Sequence, residues 1–317
     1  MLAYVLRRAV FLVVSLAAAA VLTFVLLRLL PGDPANALTS VGATPEQIAA
    51  ARRAIGSDQP LPQQFVTWFG SMVRFDMGTS FISGLEVGPE LLQRLSVTLP
   101  LTLIAFAVAI LIAGPVGFVA ARYSRSWVGL VFSAVAQFGI AVPVFWVGIL
   151  LVWGFSLGWR LLPPSGIPTD GWSDPAGMLR FLVLPVATIA IVMSASLTRY
   201  VRSACLDVIG SGYLTNFRAL GASFGSAFWH HGVKSVAVPL TSVLGIELAT
   251  TFLGAVVVEN VFALPGLGSL IVTGIAQHDY PTIQGVLLIT TLLVLIVGFL
   301  ADFTQKMLDP RLRGTLI

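Results

Sequence analysis

The chain has 317 residues, of which 57% are apolar and 10% charged, with a mean hydropathy of +0.94 and a net charge of +4. Soluble globular chains carry about 25% charged residues, so this composition excludes a soluble domain and specifies an integral membrane protein. Its single cysteine, Cys205, excludes an internal disulfide and a cysteine-based metal cluster, and reads as a small apolar filler near a helix end.

Arg7 and Arg8 form a short basic start, followed by an apolar run from Ala9 to Leu30. At about 1.5 Å per residue this run reaches about 33 Å, enough to cross a bilayer. It exceeds the roughly 7–15 apolar residues of a signal peptide and reads as an uncleaved first span. Leu30-Pro31-Gly32-Asp33-Pro34 stops it, because Pro34 lacks an N–H and Gly32 permits a turn. Residues 31–96 are polar enough to lie outside the membrane. Within them Thr44-Pro45-Glu46 predicts a helix start, with proline at the first position and an acid in the first turn. Trp68, Phe69, Met72, Val73 and Phe75 predict a segment resting on the membrane interface or on the spans.

Five more apolar runs follow, near Val97–Ala121, Val128–Leu157, Leu179–Val201, Val236–Asn260 and Ile283–Phe303. Pro115, Pro143 and Pro185 cut three of them, and neighbouring helices satisfy the freed carbonyls. The third run is long for a bilayer, so it tilts, breaks near Pro143 or projects from the membrane. The chain is therefore read as an all-α polytopic membrane protein with six transmembrane helices.

Six spans put both termini on one side. With that side inside, the inner segments hold eleven basic residues against Asp207, Asp302 and Asp309; the outer segments hold seven against ten acids. The positive-inside rule then makes both termini cytoplasmic. It also makes the polar interlude Ser203–Pro239 cytoplasmic. In that interlude Phe217, Leu220, Phe224 and Phe228 fall at helical spacing and predict one apolar stripe, away from Thr215, Arg218, Ser223 and Ser226. Gly221 and Gly225 interrupt the pattern and predict two short helical pieces with a bend. Such an element either lies on lipid or docks into a groove of a soluble partner. Arg218 and Lys234 against Asp207 make no polybasic anchor, which favours docking.

No catalytic or metal-binding set emerges, and nothing points to nucleic acid. The only lysines, Lys234 and Lys306, follow no glycine-rich turn, so the chain carries no Walker-type ATP site. His230 and His231 point about 100° apart on a helix and make a poor ligand pair. Gly221-Ala222-Ser223-Phe224-Gly225 fits the GxSxG pattern, but that motif needs a strand-to-helix elbow, and here it sits in a helical loop. Glu247 is the one acid near the middle of a span, where a charge costs about 2.5–3.5 kcal/mol on insertion scales. It faces the bundle interior or a water-filled path, or is protonated; a pathway role and a structural hydrogen bond both stand open. Gln137 is a weaker signal of the same kind, and Asp302, near an inner helix end, reads as structural.

Short motifs recur along almost the whole chain: Leu27-Arg28-Leu29-Leu30-Pro31-Gly32-Asp33-Pro34-Ala35, Asp58-Gln59-Pro60-Leu61-Pro62, Gly78-Thr79-Ser80, Thr98-Leu99-Pro100-Leu101-Thr102, Val142-Pro143-Val144-Phe145-Trp146, Leu162-Pro163-Pro164-Ser165-Gly166 and Thr198-Arg199. Glu259-Asn260-Val261-Phe262, Pro265-Gly266-Leu267-Gly268, Asp279-Tyr280-Pro281, Gln284-Gly285 and Leu308-Asp309-Pro310-Arg311 complete the series. In joint order and spacing they resemble the permease subunits of the dipeptide/oligopeptide family of ABC importers. The resemblance implies a type I ABC importer permease fold in the cytoplasmic (plasma) membrane. It implies an N-terminal transmembrane helix at 1–30, an extracytoplasmic accessory segment at 31–96, a five-helix core at 97–305 and a cytoplasmic tail at 306–317. The core includes a cytoplasmic coupling loop at 203–239, in the place of the family's "EAA" loop.

Tyr213, Arg218, Ala219, Gly221 and Pro239 match that loop's pattern, and the implied docking set is Tyr213, Phe217, Arg218, Ala219, Gly221, Ala222, Ser223 and Phe224. Thr215-Asn216-Phe217 stands where charged and small residues are usual, Leu220 where a lysine is usual, and Glu247 where a glutamine is usual. The implied partners are a homologous second permease, one or two ABC ATPase subunits that hold the ATP and Mg, an extracytoplasmic substrate-binding protein, and membrane lipid. No cofactor is implied in this chain. The expected role is half of a translocation pathway for peptides, with Gln137 and Glu247 as pathway residues. Two alternatives stand beside it. One is an ion-gradient-driven transporter with Glu247 as proton carrier, opposed by the lack of visible inverted repeats. The other is an intramembrane hydrolase built on Ser223.

Overall fold

The computed structural model describes residues 2–29, 35 and 43–308. The stop motif at 30–34 and the closing Asp309-Pro310-Arg311 lie outside the described residues. In chain order the helices are α1 (Leu2–Leu29), α2 (Pro45–Ile55), α3 (Leu61–Val73), α4 (Val87–Arg122), α5 (Trp127–Ala141), α6 (Val144–Leu151), α7 (Pro175–Ile209), α8 (Gly212–Ala219), α9 (Phe224–Ala227), α10 (Val233–Val261), α11 (Leu267–Gln277) and α12 (Tyr280–Leu308). Wide π-type turns extend α6 over Val152–Gly158 and join α9 to α10 over Phe228–Gly232. The β-structure among the described residues is one isolated antiparallel bridge, Thr79 to Glu86.

Five helical stretches are long and apolar enough to cross a membrane: Leu6–Leu29, Val87–Arg122, Pro175–Ile209, Phe224–Val261 and Tyr280–Leu308. The sixth expected span is a pair, Trp127–Ala141 and Val144–Gly158, bent by 100°. Of the three alternatives for this long run, the break at Pro143 is the one realised. Val142 is extended, at φ −82° and ψ 125°, as the residue before a proline prefers. Pro115 and Pro185 instead lie inside the continuous helices α4 and α7. The helices also outrun the apolar segments. α4 starts ten residues before the expected Val97, because Pro89 and Glu90 suit a first turn and Glu90 pairs with Arg94 at 3.0 Å. α7 continues to Ile209 and α10 begins at Val233 with Pro239 inside it, so the non-spanning interlude is shorter than 203–239. Backbone hydrogen bonds propagate a helix past the point where its side chains turn polar.

The chain forms two compact units. The first comprises Met1–Thr98 and Pro265–Leu295. Here Thr44 caps α2 in a reciprocal capping box with Gln47, and Gly56 closes it at φ +67°. α3 lays Phe65 and Trp68 against Phe24 of α1, with ring centroids 5.2 and 5.6 Å apart, so the aromatic segment rests on a span. Its other side keeps Val66, Val73 and the adjoining Phe75 exposed. Between α11 and α12 the chain turns at His278, φ +57°, and delivers Asp279 into the interior at 4% exposure. The Asp279 carboxylate accepts from Ser80 Oγ at 2.6 Å, Thr282 Oγ1 at 2.7 Å and the Phe81 N–H at 3.0 Å.

The second unit comprises Leu99–Leu264 and Ile296–Ile317. α7 is its central helix, with sixteen buried residues packed by α5, α6 and α10. Small residues set the helix spacings: Gly139 of α5 faces Ala195, and Gly245 of α10 faces Ala301 of α12. A Cβ on Gly245 would overlap the Ala301 methyl. Gly245→Val is therefore expected to cost about 1–3 kcal/mol of stability by overpacking. The check is the thermal unfolding midpoint of the detergent-purified protein, and an unchanged midpoint would mean that α10 and α12 part here without penalty.

Candidate coupling element and intramembrane carboxylate

The polar interlude folds as two short helices with a bend, and the residues show why. α8 ends where Gly221 takes φ +94°, a conformation rarely open to residues with a Cβ. The Gly221 N–H donates to the Arg218 carbonyl and the Ala222 N–H to the Phe217 carbonyl, which closes the last turn. Ser223 then caps α9, its Oγ accepting the Ser226 N–H at 3.2 Å. Gly225, expected to break the helix as well, lies inside α9. One left-handed residue is enough for the bend.

The base of the element is buried. Leu214, Ala227 and Phe228 pack with Ala121 of α4, Ala204, Cys205 and Val208 of α7, and Val236 of α10. Phe217, Ala222 and Phe224 lie half-buried on the same cluster. Phe217 stacks on His231 with centroids 4.0 Å apart and planes 9° from parallel, and Tyr213 meets Phe217 edge-on at 5.0 Å. The Arg122 guanidinium sits 4.4 Å from the centroid of Phe224, a cation–π contact that ties α9 to the end of α4. The expected apolar stripe is corrected at one position. Leu220 is 84% exposed at the bend, and Leu214 takes the buried place, because α8 has already ended when the chain reaches Leu220. The exposed rim is thus Tyr213, Arg218, Ala219, Leu220, Gly221 and Ser223. Ser223 Oγ is engaged in helix capping, and the strand-to-helix elbow of a GxSxG nucleophile is absent from this part of the chain.

Glu247 is the fifteenth of the 29 residues of α10, at the helix midpoint. Its Oε1 accepts a 2.7 Å hydrogen bond from Ser196 Oγ of α7. The two line a cavity of about 260 Å³ together with Val144 of α6, Val192 and Met193 of α7, and Thr250 of α10. Gln137 is exposed on α5 and does not line this cavity, so the two residues singled out for the pathway are not brought together there. Ser196, Arg122, Leu214 and His231 had no motif to mark them. Ser196 lies 51 residues from Glu247, and hydroxyls in apolar helices commonly bond their own backbone instead.

Comparison with known proteins gives this geometry its context. Residues 113–314 match the family described as binding-protein-dependent transport system inner membrane component, and residues 1–102 match that system's N-terminal membrane-component family. The chain belongs to the binding-protein-dependent permeases. It is 34% identical over 310 residues to a probable peptide ABC transporter permease protein of Sinorhizobium fredii, covering 98% of this chain and 99% of that one. It is 36% identical over 315 residues to a putative peptide transport system permease of Brucella abortus, covering 99% of each. A glutathione transport system permease of Salmonella choleraesuis is 34% identical, again over 99% of each chain. A solved amino acid ABC transporter with histidines is 18% identical, with a TM-score of 0.47, covering 78% of this chain and 98% of its own.

This binding-protein-dependent permease is thus the multi-pass, all-α membrane subunit of an ABC importer. It is not itself an enzyme: ATP hydrolysis belongs to a separate subunit, and importers of this family work with a partner permease and a substrate-binding protein. These relatives lend no support to the ion-gradient alternative.

Proposed function

We propose that this permease lines half of a pathway for peptides and is driven through α8 and α9 by a docked ATPase. The observation that carries the coupling role is the two-sided build of that element. Leu214 and Phe228 are seated among the ends of α4, α7 and α10, while Tyr213, Arg218 and Leu220 are left outside. A partner gripping the rim would move the base, and with it three helix ends that carry the spans of the second unit; packed interfaces pass such shifts on as discrete repacking. The charge bias supports cytoplasmic termini and a cytoplasmic α8–α9. The assembly we propose contains one homologous permease, one or two ATPase subunits holding ATP and Mg, and a binding protein that meets the outer loops 162–178 and 263–268. The full-length likeness to permeases named for peptides and for glutathione supports a peptide substrate.

Gentle affinity purification from native membranes, with identification of the co-purified chains and an ATPase assay, tests this. A second permease and an ATPase subunit are expected to come along. A chain that emerges alone, and moves solute into liposomes under a proton gradient without ATP, overturns the proposal.

A further inference from the structure

We infer that Glu247 and Ser196 form a station for a cationic group of the transported solute, the protonated amino terminus of a peptide; this deepens, and rests on, the peptide reading above. Ser196 Oγ serves one carboxylate oxygen, and Glu247 has no ion-pair partner among the described residues. A glutamine would accept the same bond from Ser196 without the cost of placing a charge in mid-membrane. A carboxylate there calls for a cation, and intramembrane acids pair with one or mark a solute path. The cavity supplies none. α6, α7 and α10 line it, and Glu247 is the sole titratable side chain that they bring to it among the described residues.

The rest of the cavity suits an amino terminus. Its volume of about 260 Å³ leaves room for an ammonium group and its first residue. An ammonium brings three donors. The free Glu247 oxygen accepts one, and the hydroxyls of Ser196 and Thr250, each with acceptor capacity left, border the same space. Val144, Val192 and Met193 give an apolar wall for the first side chain. A solute that presents an anion at this end meets repulsion instead.

The test uses the whole importer, with both permeases, ATPase and binding protein, in proteoliposomes with equal pH on both sides. The probe is trialanine, whose α-amino group titrates at about 7.7–8.0. Uptake by wild type is divided by uptake by Glu247→Gln at each pH, so that effects on the binding protein and the ATPase cancel. The ratio is expected to be roughly tenfold at pH 6.5, as for loss of one charge-assisted hydrogen bond, and to fall toward one by pH 9 as the ammonium is lost. Glu247→Asp, which keeps the charge, is expected to retain the fall with pH. A ratio that is flat with pH, or uptake by Glu247→Gln equal to wild type, overturns the station while leaving the peptide reading in place. A wild-type complex that hydrolyses ATP but moves no trialanine at any pH overturns the peptide reading, and the station with it.

Discussion

Gly221→Arg is expected to abolish ATP-driven uptake while leaving the chain inserted in the membrane at wild-type amounts. At φ +94° any side chain strains the backbone, at a cost of order 1–3 kcal/mol, which favours a reshaped turn. Yet a Cβ at this position meets no atom within 4 Å, so the side chain sets out into open space. The buried base, with Leu214 and Phe228, stays packed against α4, α7 and α10. What changes is the rim: a long cation now stands beside Leu220 and Arg218, on the face proposed to meet the ATPase. Gly221→Ala separates the two effects, because it adds the strain without the bulk, and it is expected to lose only part of the uptake. The measurement is uptake and ATP hydrolysis by the reconstituted importer. Full uptake by Gly221→Arg would mean that α8 and α9 do not carry the coupling.

Asp279→Ala is expected to destabilise the first unit by several kcal/mol. Three donors converge on this carboxylate, two hydroxyls and a backbone N–H. Both Ser80 and Thr282 are buried, so water cannot replace the lost acceptor. Each buried hydroxyl left without its acceptor costs about 1–3 kcal/mol, so the two, with the part-buried Phe81 N–H, come to several kcal/mol. Asp279→Asn keeps one carbonyl oxygen and is expected to fall between wild type and Asp279→Ala. Ser80→Ala also removes the acceptor of the Ile82 and Ser83 N–H groups, so its cost exceeds that of one hydrogen bond. Thermal unfolding of the detergent-purified protein reads the order directly. An Asp279→Ala midpoint equal to wild type would show that these donors find other acceptors.

Much of the candidate site is legible in the sequence. The interlude stood out because polar residues in a membrane chain are few, and Gly221 marked its bend because left-handed backbone favours glycine. Glu247 stood out because charge is costly in a span. The wrong details share one cause. Helical spacing extended through the bend puts Leu220 on a buried stripe, but spacing holds only while the helix lasts. Gly225 suggests a second break, but a glycine permits a break without requiring one; Ser223, which caps the helix just before it, decides the local course. The span limits fell short at Val97 and Val201 because apolarity marks the membrane, whereas helices continue on backbone hydrogen bonds.

The sequence by itself determined the membrane class, the number of apolar runs, the break at Pro143 as one of three outcomes, and the position of the one mid-span acid. These follow from composition and from periodicities a few residues long, which are local properties. Only the tertiary structure decided that Ser196 meets Glu247, that Ser80 and Thr282 meet Asp279, that His231 covers Phe217 and that Arg122 caps Phe224. Of these pairs, only Asp279 and Thr282 are close in sequence, three residues apart; the other partners lie 14 to 199 residues apart. What joins such distant residues is the packing of whole helices, fixed by small contacts such as Gly139 on Ala195 and Gly245 on Ala301, and no short window of sequence carries that information.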